Sequence, residues 1–140
     1  MIIDAIKKYI EKECPLVSGK KIKVNNLGEN PVSFSIDQVP ATPIIKKYVD
    51  GGTMRQAAFV FASREEYDAE VWKQIAAANF YEELQEWFEE QSKAKNLPVL
   101  EAGKKSLRIE TTSSGYLMSN DRKTARYQIQ CRLIYYKEGR

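Results

Sequence analysis

Histidine is the residue most often recruited for catalysis near neutral pH, and this chain has none. Its absence removes the commonest general base and the commonest metal ligand, and with them any Ser-His-Asp or Cys-His nucleophile. The two cysteines, Cys14 and Cys131, lie far apart and form no CxxC pair. A zinc site would therefore have to gather carboxylates around two distant sulfurs. Two free thiols acting as small hydrophobes are expected, with one bridge between them left open. Glu65-Glu66, Glu82-Glu83 and Glu89-Glu90 are adjacent carboxylates, but neighbours on a helix project in different directions and make no ready acid–base pair. Glycosidase-type chemistry would need two carboxylates facing one cleft. Gly51-Gly52 lacks the lysine and the following helix of a phosphate-binding loop, and reads as a turn. These residues predict a protein that is not an enzyme and has no cofactor and no metal.

Composition narrows the partners. The 140 residues include 22 Lys plus Arg and 19 Asp plus Glu, a net charge of +3. The basic residues interleave with acids, as in Lys7, Lys8, Glu11, Lys12 and Glu13, instead of forming the basic stripe of a committed nucleic-acid binder. Tyr127, Tyr135 and Tyr136 share one segment with Arg126 and Arg132, a mixture that can stack single strands. On a strand, however, Tyr127 and Tyr135 fall on the face opposite the arginines, so no direct nucleic acid is expected. No run reaches the roughly 18 apolar residues of a membrane helix, and the start lacks the apolar core of a signal peptide. The protein is expected in the cytoplasm where it is made.

The elements that would position these residues follow from hydrophobic period. Ile2, Ile3, Ile6, Tyr9 and Ile10 form one helical stripe, stopped by Pro15. Lys21 to Val24 is a short strand. Val32, Phe34 and Ile36 alternate with Ser33, Ser35 and Asp37, the period of a half-buried strand. Pro40 and Pro43 bracket a connection. Ile44 to Val49 and Met54 to Ala62 flank Asp50-Gly51-Gly52-Thr53 and predict a hairpin, with Phe59-Val60-Phe61 buried on both faces. Two central helices are expected: a short one from Asp68 to Ala78, and a second capped by Asn79 with Glu82 three residues on. The second helix carries the apolar stripe Phe80, Tyr81, Leu84, Trp87 and Phe88. Its other side is lined by Glu82, Glu83, Glu86, Glu89 and Glu90, which either face solvent or meet a basic neighbour. Leu107 to Thr112 and Tyr116 to Met118 read as strands, and Ser119 to Lys123 as a polar turn. In the last strand Ala125, Tyr127, Ile129, Cys131, Leu133 and Tyr135 face the core. Arg126, Gln128, Gln130 and Arg132 face water or a partner. The expected fold is a single α+β domain over residues 1–140, an antiparallel or mixed sheet with an N-terminal helix and a central helix pair packed on it.

Four stretches carry a resemblance: MIIDAIKKYIEKECPL, IIKKYVDGGTMRQAAFVFASREEYD, NFYEELQEWFEEQSKAKNLPVL and SGYLMSNDRKTARYQIQCRLIYYKE. Together they resemble a family of bacteriophage minor capsid proteins found in prophages of low-GC Gram-positive bacteria. That family is similar to the tail-terminator and head-to-tail joining proteins of long-tailed phages. The resemblance implies a tail-terminator-like fold. It also implies a virion structural protein that completes the tail and joins it to the head. The implied partners are further copies in a ring homo-oligomer (a hexamer), the tail-tube protein and the head connector. The implied location is the virion, reached from the host cytoplasm during assembly. A ring subunit needs two different surfaces that meet head to tail. On charge, Glu82, Glu86 and Glu90 are candidate complements of Arg126 and Arg132. The turns at Asp50, Gly51 and Gly52 and at Asn120 and Asp121 are candidate loop contacts. The alternative is a monomeric cytoplasmic binding or regulatory protein without catalysis.

Overall fold

The computed structural model describes residues 2–17, 21–25, 33–66, 71–120 and 124–139, side chains at 65, 66, 71–78 and 120 excepted. Its frame is a pair of long antiparallel strands, β4 (Thr53–Glu66) and β7 (Thr124–Lys137), paired residue for residue from Thr53↔Lys137 to Glu66↔Thr124. Each is rich in the β-branched, aromatic and alternating residues that fit a pleated, half-buried surface. The other strands are β1 (Ile22–Val24), β2 (Ser33–Gln38), β3 (Ile44–Lys47), β5 (Lys104–Thr111) and β6 (Tyr116–Asn120). The seven-stranded sheet runs β1-β2-β4-β7-β5, with β3 sharing the β4 edge and β6 the β7 edge. Among the described residues only the β1–β2 pair is parallel; the sheet is mixed.

The α-helices α1 (Ile2–Glu13) and α2 (Val71–Ala94) cover one face. Ile3, Ile6, Tyr9 and Ile10 of α1, and Tyr81, Leu84, Trp87 and Phe88 of α2, join one core with Phe34, Ile36, Phe59, Phe61, Ile109, Ile129, Cys131 and Leu133. Phe59, Val60 and Phe61 are all buried, as the unbroken apolar run predicted. Glu11 ties α1 to the sheet by accepting the Ile22 amide at 2.8 Å.

The expected helix pair is one continuous helix of 24 residues. Asn79 does not cap; it lies exposed within α2. No glycine or proline interrupts Val71 to Ala94, so the backbone ladder runs through the cap-like spacing and the local signal loses to the continuous helix. The part of the first expected helix at 68–70 lies outside the described residues. The end of α2 is a Schellman arrangement. The Asn96 amide donates to Gln91 O at 3.0 Å and the Lys95 amide to Ser92 O at 3.4 Å, with Lys95 at φ 60°. Tyr9 then donates its hydroxyl to Asn96 O at 2.9 Å, fixing α1 against that end.

The hairpin between β3 and β4 forms where Asp50-Gly51-Gly52 predicted it. Gly51 N–H donates to Tyr48 O, and Tyr48 N–H to Gly52 O. Gly51 sits at φ 90°, the left-handed position that closes a three-residue loop. Asp50 Oδ1 accepts the Gly52 amide at 2.9 Å. Among the described residues no helix is long and apolar enough to cross a membrane.

Candidate functional site

Among the described residues the reactive groups do not converge. Cys14 and Cys131 are both free and buried, and burial pushes both thiols up from their ordinary range. A thiol held protonated is a poor nucleophile. Among the described residues no group of His, Cys, Asp or Glu could hold a metal ion. A groove of about 470 Å³ between the start of α1 and residues 38–41 is lined by Ile2, Ile6, Val39, Pro40 and their neighbours, with no ionisable side chain.

Polar side chains gather instead on the sheet face away from the helices. The period of two puts Arg126, Gln128, Gln130 and Arg132 there, opposite the core residues Ile129, Cys131 and Leu133. Arg126 binds Asp37 Oδ2 at 2.8 Å and Gln128 Oε1 at 3.1 Å. Gln128 donates to the Tyr116 hydroxyl at 2.6 Å. Arg132 binds Glu110 Oε2 at 2.7 Å and Gln56 Oε1 at 3.1 Å, and Arg108 takes the other Glu110 oxygen at 2.7 Å. Desolvation alone would raise the Glu110 carboxyl, but the bonds and charges of Arg108 and Arg132 outweigh it and hold it below the usual carboxylate range. The even face of β7 is therefore less open than alternation implied. Gln128 is only 7% exposed and Ile134 is fully buried, where β6 pairs with residues 125–128 of β7 and β5 with residues 131–137.

The acidic face of α2 lies on the opposite side of the domain. Glu82, Glu83, Glu86, Glu89 and Glu90 are all exposed, and among the described residues none has an ion-pair partner. Glu82, Glu86 and Glu90 stand at successive four-residue steps, which stacks like charge along one row and opposes helix formation by about 0.2–0.5 kcal/mol per pair. The five predicted contact residues thus fall into two unlike groups. The glutamates are unpaired, whereas Arg126 and Arg132 already serve carboxylates of their own sheet.

The predicted loops fare differently. Asp50 and Gly51 are exposed at the hairpin tip, and Gly52 is buried beneath Tyr136. Asn120 ends β6, and Asp121 lies outside the described residues. What sequence reasoning missed is the exposed apolar set Ile45, Tyr48 and Val49 on the hairpin and Leu117 and Met118 on β6, with Val99 exposed separately before β5. The available signals were Tyr48-Val49 running straight into the turn, and Leu117-Met118 in a strand without alternation.

No protein-family model matches this chain, and no curated protein sequence matches it.

Proposed function

We propose that the chain is a non-enzymatic structural subunit of a long-tailed phage particle, of the minor capsid or tail-terminator kind. It acts in tail completion and head-to-tail joining, as a ring of identical copies in contact with tail-tube and connector proteins. The reading starts from the resemblance spread over the four stretches quoted above. The observation that supports it is the distribution of exposed apolar side chains: among the described residues, five of the six large ones lie on the β3–β4 hairpin and on β6, at opposite edges of one sheet. Two unlike sticky edges on a rigid body favour heterologous association, which generates rings or filaments. The test is genetic and microscopic. An inducible prophage carrying this gene with an early stop codon should release filled heads unjoined to tails, with tails of irregular length under negative stain. Intact, infectious particles lacking the protein would overturn the reading.

A further inference from the structure

Among the described residues, four strands have a partner on one side only: β1, β3, β5 and β6. A free strand edge is a template for another chain, and proteins commonly block it with charge. β1 carries Lys23, β3 carries Lys46 and Lys47, and β5 carries Lys104, Lys105 and Arg108. β6, with the sequence YLMSN, carries no charge and exposes Leu117 and Met118, at 45% and 57%. On the other side of the sheet the β3–β4 hairpin exposes Ile45, Tyr48 and a fully exposed Val49. Its Lys46 ammonium lies 5.3 Å from the centre of the Tyr48 ring.

The geometry points to a head-to-tail contact in which the β3–β4 hairpin of one copy seats on the β6 edge of the next. This rests on the reading of the chain as a self-assembling subunit, and names the surfaces. Ile45, Tyr48 and Val49 cover Leu117 and Met118, removing both apolar patches from water. Charge fixes the partner. Gly115, just before β6, packs so closely on Tyr81 that an added Cβ would collide with the tyrosine's own Cβ. The acidic run of α2 therefore begins beside the β6 edge, and Lys46 and Lys47 arrive against Glu82, Glu83 and Glu86. Two hairpins cannot pair with each other on the same terms, because four lysines would meet.

Nor can the hairpin fold back onto its own helix. It grows from β4 at Thr53, whereas Tyr81 is bonded to Ser63 on the same strand, about 33 Å away at roughly 3.3 Å per residue. The contact is therefore between molecules and heterologous. It keeps the glutamates of α2 as one complement and replaces Arg126 and Arg132, whose charge is spent inside their own sheet, with Lys46 and Lys47.

The test uses full-length protein and light scattering. Val49→Asp spoils the hairpin and Met118→Asp the β6 edge, and each variant alone should fall to the 16.1 kDa monomer. Mixed in equal amounts they should form a dimer of twice that mass, since each keeps one sound surface. Lys46→Glu/Lys47→Glu should also dissociate the assembly, and adding Glu82→Lys/Glu86→Lys to the same chain should restore it; all four side chains are exposed, so this arm reads the contact without touching packing. A mixture that stays monomeric, or variants that keep the wild-type assembly, would overturn the contact and leave the ring reading standing. Wild-type protein that never assembles would overturn both.

Discussion

Tyr81 is the side chain on which α2, β4 and β7 converge, and its hydroxyl gives a quantitative handle on the fold. It is 2% exposed. It donates its one proton to Tyr127 O at 2.9 Å, so the 2.6 Å bond with Ser63 Oγ must be donated by the serine. Tyr81→Phe removes both bonds without changing the ring. Ser63 is fully buried, and a buried donor deprived of its acceptor costs about 1–3 kcal/mol. For 140 residues, an unfolding entropy of roughly 2.1 cal/mol/K per residue turns about 2 kcal/mol into a fall of about 7 °C in Tm. Ser63→Ala added to Tyr81→Phe removes the stranded hydroxyl, so the double variant should be less destabilised than the sum of the singles by about 1 kcal/mol. Urea titrations followed by tryptophan fluorescence, with Trp87 buried in the same core, measure all three. Additivity within about 0.5 kcal/mol would refute the coupling.

Other consequences are simpler. Gly115→Ala drives a methyl into Tyr81 and should cost about 1–3 kcal/mol as an overpacked contact, read from a thermal melt. The two buried thiols should resist a disulfide reagent in the native state and react at once in denaturant; rapid labelling of native protein would contradict their burial. Glu11 and Glu110 are both held below the usual carboxylate range. Desolvation opposes this in each, and it is outweighed by the Ile22 amide and Lys7 for Glu11, and by Arg108 and Arg132 for Glu110. Each therefore adds stability that is present above the unfolded value near ~4.3 and lost as pH falls through the lower folded value. The melting temperature should hold between pH 7 and about pH 5 and drop below about pH 4, with a shallower acid drop in Glu110→Gln.

The parts of this fold that sequence made legible are those with a local cause. The stripe of α1, the Asp50-Gly51-Gly52 turn and the alternation of β7 each follow from residues a few positions apart. The helix pair failed because Asn79 and Glu82 imitate a cap that a continuous helix overrides. The arginines misled for a different reason. Asp37 and Arg126 lie 89 positions apart, and Glu110 and Arg132 lie 22 apart, so no window reveals that their charges are already spent. The glutamates of α2 were readable because a helix face is set by its own period. The exposed apolar edges were not, because which strands end a sheet depends on the order β1-β2-β4-β7-β5, a property of the whole chain.

The most direct test of the account is the solution mass of the wild-type protein by light scattering, from dilute to concentrated and at low and high salt. A self-assembling ring subunit predicts a discrete species near six times 16.1 kDa, about 97 kDa, needing more protein to form in high salt as its lysine–glutamate contacts are screened. A mass of 16.1 kDa at every concentration and both salts would contradict it.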